Sequence, residues 1–272
     1  MRFAICNELF ENWPFAKVCR YVKSIGYDGL EVAPFTLAPR ITDVDAVQRR
    51  ELRRQAADAG VQIIGLHWLL ARTEGLYLTS PEAGIRQRTA DYLVALAEAT
   101  RDLGGELMVF GSPKQRSLLS GVSWDQAFDL AVDTFRRAMP GIAASGVRLC
   151  MEPLAPVETD FINTCAEGAR LMDAVGHPAF VLHLDVKAMS NETAPITELI
   201  RRYASRAGHF HANDPNMRGP GFGEVDFTPI FGALRDAGYE RWVSVEVFDY
   251  SPDPETVARQ SVEYMQSVAA AK

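Results

Sequence analysis

Cysteine is scarce in this 272-residue chain, with four copies spread along it and no CxxC pair among them. This spacing excludes a disulfide framework and the usual cysteine zinc motifs, and it favours reduced, buried thiols. No apolar run approaches the length of about 18 residues that a membrane-spanning helix needs. The first turn of the chain contains Glu8 and Glu11, whereas a secretory signal is apolar there. We therefore expect a cytoplasmic protein that has no contact with a membrane.

Basic residues are also in the minority, since 28 lysines and arginines face 35 acidic residues, for a net charge of −7 and a pI near 5.3. A nucleic-acid-binding surface normally carries a basic patch, so this balance argues against nucleic-acid partners. The first strand and turn, residues 3–13, have no glycine-rich phosphate loop, which argues against a Rossmann-like sheet. No linker rich in proline or serine interrupts the chain, and we predict one domain over residues 1–272.

The chain does contain a regular alternation of short β-rich runs and longer amphipathic stretches. Parallel strands need crossover connections, so eight such units predict an α/β fold, a single (β/α)8 TIM barrel. The predicted strands are residues 3–6, 29–32, 61–67, 106–110, 148–152, 180–185, 207–211 and 242–247. The predicted helices include residues 44–59, 85–103, 124–144, 166–175, 195–205 and 257–270, with candidate N-caps at Thr42, Asp43, Ser123 and Thr164.

The last four predicted strands end in side chains that bind metal ions. In a (β/α)8 barrel the C-terminal ends of the strands meet at one face, where the chemistry of such barrels lies. Three carboxylates brought together there would repel one another and take up protons unless a cation neutralised them. Three carboxylates and one imidazole suit Mn²⁺, Mg²⁺ or Co²⁺, with Zn²⁺ as an alternative. The four predicted ligands are Glu152, Asp185, His211 and Glu246.

Two further histidines, His183 and His209, precede the predicted ligands Asp185 and His211 by two positions. Alternate residues of a strand share a face, so both rings should lie on the same side as the ligands, one layer deeper. We expect them to support the ligands rather than to bind the metal. Glu31 ends the second predicted strand and is expected to orient a histidine or lysine nearby.

The chain resembles the xylose isomerase-like TIM-barrel superfamily, and within it the sugar isomerases and epimerases grouped around D-tagatose 3-epimerase and D-psicose 3-epimerase. The segments that carry the resemblance are MEPLAPVETDFINT (151–164), HLD (183–185), HFHANDPNMRGPGFGEVDF (209–227) and SVEVF (244–248). GYDGLEV (26–32) and GLHWLL (65–70) also fit. The resemblance spans nearly the whole chain.

This resemblance implies a metal-dependent isomerase or epimerase that moves a proton on a ketose or a related keto-sugar. In that reaction the C–H bond beside the sugar carbonyl is acidified by the ion, and an enediolate forms. In the epimerases two metal-bound glutamates flank the substrate, and Glu152 and Glu246 match their positions. We therefore expect these two as the acid/base pair, with Asp185 and His211 chiefly as ligands.

The resemblance also implies a set of substrate-binding residues, some of which depart from the family pattern. Glu158 matches a family glutamate that hydrogen-bonds the reacting end of the sugar, and His67 and Trp68 are expected in the pocket wall. Arg218 lies beside the position of a family arginine that binds substrate oxygens, and Met217 occupies that position. We keep Arg218 as the candidate substrate ligand.

A second departure follows the predicted ligand Asp185. The epimerases carry a substrate-contacting histidine three residues later, and Ala188 stands there, so the substrate need not be the same sugar. Lys187 is expected to supply a donor instead, to a phosphate or carboxylate, with a simple rim lysine as the alternative. Asn213 and Asp214 follow His211 where related isomerases often have a Lys–Asp pair, and we expect them to support the ligands.

Other functions stay open within this fold. Hydroxypyruvate isomerase and inosose dehydratase share the barrel, and a dehydratase also abstracts a proton beside a carbonyl before a hydroxyl leaves. Endonuclease IV binds three zinc ions through additional histidines, whereas this chain has five histidines in all. A non-catalytic sugar-binding barrel would not need both Glu152 and Glu246. Because the family commonly forms dimers or tetramers, we expect a homo-dimer or homo-tetramer whose small-molecule partner is a sugar.

Overall fold

The computed structural model describes residues 1–270. Over these residues eight parallel strands form a closed barrel, in which each strand pairs with the next and the first pairs with the last. This confirms the predicted (β/α)8 barrel. The strands are β1 (Arg2–Cys6), β2 (Gly29–Val32), β3 (Gln62–Leu66), β4 (Leu107–Phe110), β5 (Arg148–Met151), β6 (Phe180–Asp185), β7 (Ala207–Ala212) and β8 (Trp242–Val245).

Helices connect the strands and pack side by side around the barrel. No helix of residues 1–270 is long and apolar enough to cross a membrane. In this part of the chain the α-helices are α1 (Phe15–Ser24), α2 (Ala46–Asp58), α3 (Ala83–Leu103), α4 (Trp124–Ala144), α5 (Cys165–Val175), α6 (Val186–Met189), α7 (Ile196–Tyr203), α8 (Phe227–Asp236) and α9 (Pro254–Ala270).

The sequence analysis gave no bounds for two of the helices, α1 and α8. In α8 the sequence contains Pro229 and Gly232, which both disfavour a helix interior. Pro229 lies in the first turn, however, where a missing N–H leaves no helical hydrogen bond unmade. The start of α8 is hard to recognise in the sequence, because the position of the proline within the helix depends on where the helix begins.

The predicted N-caps were right at two of their four positions. Ser123 and Thr164 cap α4 and α5, because each side-chain oxygen accepts a backbone N–H of the first turn. The predictions of Thr42 and Asp43 as N-caps were wrong, since both residues lie in or beside a separate 3-10 turn. In that turn the Asp43 carboxylate accepts the backbone N–H of Arg40. Asp45 caps α2 instead, through a bond from the Gln48 N–H.

The main hydrophobic core lies between the barrel and its helices. Two smaller clusters apart from it come from strand positions that fill the barrel interior: Ala4 with Ile64 and Trp242, and Leu107 with Val109 and Cys150. The four cysteines are free and buried, as predicted. Because these apolar clusters fill the interior, the polar side chains that follow on the same strands are left at its C-terminal mouth.

Candidate active site

The predicted metal ligands meet at the C-terminal mouth because they lie on neighbouring strands. Glu152 and Glu246 directly follow β5 and β8, and Asp185 and His211 lie on β6 and β7. His211 Nδ1 is 3.2 Å from Glu246 Oε2 and 3.8 Å from Glu152 Oε1. The same nitrogen is 3.9 Å from Asp185 Oδ2. All four side chains are buried, so the structure brings the predicted ligands into one small volume.

Within residues 1–270 the central nitrogen of this cluster has no hydrogen-bond partner. His211 Nδ1 is buried and unbonded, while Nε2 of the same ring lies 3.2 Å from Glu31 Oε2. Glu31 therefore turns the ring so that Nδ1 faces the carboxylates. Gly111 leaves room for one of them, because a Cβ at that position would lie 2.3 Å from Glu152 Oε2. An imidazole nitrogen among three carboxylates is a donor set that fits a hard divalent cation.

Burial and mutual repulsion shift the pKa values of the carboxylates. Burial, followed by the charges of Glu246 and Asp185, raises the pKa of Glu152 well above its ordinary value. Burial, with Glu246 next, raises the pKa of Asp185 to about 6. Burial also opposes the charge of Glu246, but His211 and His67 outweigh it and lower the pKa of that carboxyl. A cation among these groups would relieve the repulsion that favours protonated Glu152.

A cavity of about 420 Å³ opens at the cluster. Both Glu152 and Glu246 line it, whereas Asp185 and His211 do not. A volume in this range is typical of small-molecule sites. The wall also includes the apolar side chains of Trp68, Leu154, Met217 and Phe248 and the charged side chains of Arg72, Lys114, Glu158 and Lys187.

Glu158 and Lys187, both predicted to bind substrate, form an ion pair in this wall. Lys187 Nζ lies 2.7 Å from Glu158 Oε2 and 4.7 Å from the centre of the Phe248 ring. Burial opposes the charge of Lys187, but Asp185 and Glu158 outweigh it and raise the pKa of the amine. The amine therefore stays charged, and the pair presents both a cation and an anion to the cavity.

His67 and Trp68 both contact Glu246. Trp68 lines the cavity, and its Nε1 donates to Glu246 Oε1 at 3.1 Å. His67 is fully buried, with Nδ1 3.2 Å from the same oxygen and Nε2 2.8 Å from Glu8 Oε2. Burial opposes the charge of His67, but Glu8 and Glu246 outweigh it and raise its pKa to about 10. Of the two predicted pocket residues, the structure thus brings only Trp68 to the cavity wall.

Arg218 is directed away from the cavity. Its Nη2 donates to the carbonyl oxygen of Ser251, and the guanidinium lies 4.9 Å from the centre of the Phe222 ring. Met217 lines the cavity instead, with 41% of its surface exposed. The structure therefore does not bring Arg218 together with the other predicted substrate residues.

The buried histidines lie beside the ligands, as their spacing predicts. His209 Nε2 lies 2.8 Å from Glu31 Oε2, the oxygen that also faces His211. Glu31 therefore orients two histidines at once. His183 Nε2 lies 3.7 Å from Glu152 Oε1, and in the described part of the chain neither of its ring nitrogens has a hydrogen-bond partner. Burial lowers the pKa of both His183 and His209, which keeps these rings neutral.

Asp214 supports the long loop after β7 rather than a ligand. Its carboxylate accepts the backbone N–H groups of Asn216 and Val225, at 3.2 and 3.0 Å. The adjacent Asn213 is the residue that reaches the cluster, because its Nδ2 donates to Asp185 Oδ2 at 2.7 Å. Of these two residues, both expected to support the ligands, only Asn213 contacts one.

Two residues of the site had no predicted role. Glu8 lies just beyond β1 and contacts His67. Its place after a strand, like that of the predicted metal ligands, is the sequence feature that could have indicated a role in the site. Arg116 is fully buried, and its Nη1 donates to the Glu152 and Gly111 carbonyl oxygens at 2.6 and 3.1 Å. No sequence signal separates Arg116 from the surface arginines, because its contacts depend on the path of the loop after β4.

Comparison with known proteins agrees with this geometry. The family model described as xylose isomerase-like TIM barrel matches residues 19–268. D-psicose 3-epimerase of Ruminiclostridium cellulolyticum is 29% identical over 233 residues, covering 84% of this chain and 76% of the relative. 3-Dehydro-D-guloside 4-epimerase of Escherichia coli is 23% identical over 274 residues, covering 98% and 100%.

A solved structure shows the same fold. The crystal structure of D-psicose 3-epimerase with D-tagatose, from Clostridium cellulolyticum H10, has a TM-score of 0.87 at 22% identity, covering 99% of each chain. Both curated relatives named above are sugar epimerases. This chain belongs to the xylose isomerase-like TIM-barrel family.

Proposed function

We propose that this chain is a metal-dependent sugar epimerase or isomerase that moves a proton on a ketose or a related keto-sugar. One observation carries the proposal. Two buried carboxylates, Glu152 and Glu246, both line the cavity and both lie against His211 Nδ1. Relatives named as sugar epimerases support the same class of reaction.

Four side chains are assigned to the ion, namely Glu152, Asp185, His211 and Glu246, with Mn²⁺ as the first choice and Mg²⁺, Co²⁺ or Zn²⁺ as alternatives. The unbonded His211 Nδ1 and the mutual repulsion of the carboxylates support this assignment. When bound, a divalent ion supplies Lewis-acid stabilisation of negative charge on the sugar oxygens. Glu31 keeps the His211 ring in place for it, and hydrogen bonds from Asn213 and Ala188 hold the Asp185 carboxylate.

The proton transfers are assigned to Glu152 and Glu246. One carboxylate removes the proton from the C–H bond beside the sugar carbonyl, and the electron pair of that bond moves into the enediolate. The other carboxylate returns a proton to the same carbon, which gives the epimer. Glu158 and Lys187 lie in the same cavity wall, where their ion pair offers an acceptor and a donor to sugar hydroxyls.

Solvent deuterium exchange tests this function. The Mn²⁺-loaded protein is incubated in D₂O with D-psicose, D-tagatose and a 3-dehydro-glycoside, and C–H signals are followed by NMR. Exchange of one carbon-bound proton without loss of water supports an epimerase or isomerase, whereas loss of water with enone formation indicates a dehydratase. No exchange with any keto-sugar or keto acid contradicts the proposal.

Substitution of one base sharpens that experiment. Glu246→Gln should lower the exchange rate by a factor of about 10² to 10⁴, because the amide cannot accept the proton. Glu263→Gln makes the same chemical change at an exposed position of α9 and should leave the rate unchanged. Equal rates for Glu246→Gln and the unsubstituted protein would show that Glu246 transfers no proton.

The assembly and the location of the protein stay predictions. A homo-dimer or homo-tetramer would be recognised by sedimentation velocity at several protein concentrations. A cytoplasmic location would be recognised by fractionation of the source cells.

A further inference from the structure

Glu246 differs from Glu152 in how firmly its carboxylate is held. Glu246 Oε1 lies 3.2 Å from His67 Nδ1 and accepts a hydrogen bond from Trp68 Nε1 at 3.1 Å. Its other oxygen, Oε2, faces His211 Nδ1 at 3.2 Å. Over residues 1–270 no hydrogen bond reaches the Glu152 carboxylate. Two groups thus hold Glu246 Oε1, while Oε2 is left facing the metal cluster.

The partner of Glu246 is itself held by a second acid. His67 Nε2 lies 2.8 Å from Glu8 Oε2, so the imidazole bridges two carboxylates. Both Glu8 and His67 are buried, and neither lines the cavity. A buried polar group is retained at low cost only where its hydrogen bonds are made. Any effect of this pair on a bound sugar must therefore pass through Glu246.

The backbone at Trp68 also directs a donor at the same oxygen. Trp68 has a φ of 53°, in the left-handed region that a bulky residue seldom adopts. Unfavourable backbone conformations of this kind persist where the surrounding structure enforces them, and they concentrate at functional sites. Here the conformation accompanies an indole N–H that points at Glu246 Oε1 rather than into solvent.

We propose that Glu8 and His67 form a positioning dyad that fixes the Glu246 carboxylate. His67 holds Oε1, so that Oε2 stays directed toward the metal cluster. The inference rests on the proposed function, in which Glu246 both binds the ion and transfers a proton. Neither member of the dyad touches substrate. The dyad makes one of the two bases rigid, and Glu152 has no such support.

Metal affinity tests the dyad without any sugar. Mn²⁺ binding is measured by isothermal titration calorimetry, and folding is checked by circular dichroism. His67→Ala should weaken Mn²⁺ binding about 10- to 100-fold, whereas His67→Gln keeps an amide donor and should recover most of the affinity. Glu8→Ala, which leaves the imidazole in place, tests the same dyad where His67→Ala does not fold.

A matched control separates positioning from a general loss of buried hydrogen bonds. The Tyr239 hydroxyl donates to the Trp242 carbonyl oxygen at 2.8 Å, at the opposite end of the strand that leads to Glu246. Tyr239→Phe removes this bond and should leave the Mn²⁺ affinity within twofold of the unsubstituted value. A comparable loss of affinity in Tyr239→Phe would overturn the dyad, because any buried bond would then matter equally.

A second measurement uses the two faces of the sugar. In D₂O the deuterium content of the returned substrate, compared with that of its epimer, reports the proton transfers on the two faces separately. His67→Ala should change this ratio about tenfold, since only the Glu246 face loses its support. A purely structural role would lower both rates together and leave the ratio unchanged.

The outcomes distinguish the dyad from the proposed function. If His67→Ala keeps both the Mn²⁺ affinity and the exchange ratio of the unsubstituted protein, the dyad is wrong and the proposed function still stands. An unsubstituted protein that binds no Mn²⁺ and exchanges no keto-sugar proton overturns the proposed function, and the dyad with it.

Discussion

Replacement of Gly111 by alanine tests how closely the loop after β4 controls the position of Glu152. A Cβ at position 111 would lie 2.3 Å from Glu152 Oε2 and 3.4 Å from its Cδ. Non-bonded heavy atoms prefer separations of about 3.5 Å, so the carboxylate oxygen must move by about 1 Å. That displacement is large compared with the tolerance of a metal ligand or an acid/base group.

Gly111→Ala should change the stability of the fold little but lower the rate of proton exchange strongly. The colliding atoms belong to the far end of a flexible side chain, so we expect the free energy of unfolding of the metal-free protein to fall by less than about 1 kcal/mol. A misplacement of about 1 Å costs on the order of 100-fold in rate. The assays are urea denaturation for stability, exchange in D₂O for rate and titration calorimetry for Mn²⁺.

Gly232→Ala is the matched control, because nothing lies within 4 Å of a Cβ at that position in α8. It should stabilise the protein by up to about 1 kcal/mol through helix propensity and leave the rate unchanged. If Gly111→Ala keeps the full exchange rate and Mn²⁺ affinity, the position of the Glu152 carboxylate does not matter to the site, and the reasoning is refuted.

Two further predictions concern stability without metal, measured by urea denaturation in the presence of EDTA. Glu31→Ala removes the only acceptor that His209 Nε2 and His211 Nε2 share in the described chain. The free energy of unfolding should therefore fall by about 3 kcal/mol. A fall of less than about 1 kcal/mol would contradict this. Burial, with the charge of Glu246 next, raises the pKa of Asp185 from 3.8 to about 6, so the folded state binds more protons in that window and stability should fall as the pH rises through it. Asp185→Asn should remove most of that fall, and a rise in stability over the same window would show that the sign is wrong.

The convergence of the four predicted ligands could be predicted because it depends on the strand topology. In a closed parallel barrel the ends of neighbouring strands meet, so Glu152, Asp185, His211 and Glu246 converge whatever paths the loops take. The same reasoning placed His183 and His209 beside them, since alternate residues of a strand share a face. The structure confirms the fold and shows this convergence, while the ion itself remains a proposal.

The substrate-binding residues were harder to predict because they lie on loops. Arg218 and Met217 are neighbours, yet only Met217 lines the cavity, and the sequence does not show which way the loop turns. Glu8 lies in a 3-10 turn, and its contact with His67 joins residues far apart in the chain. Such contacts follow from backbone geometry that no periodicity encodes.

The position of Mn²⁺ in crystals of the protein, located by anomalous diffraction, tests the central claim that four adjacent strands form one metal site. The account predicts one peak within about 2.5 Å of donor atoms from Glu152, Asp185, His211 and Glu246. A peak held by other side chains, or no peak at these four residues under saturating Mn²⁺, would contradict it.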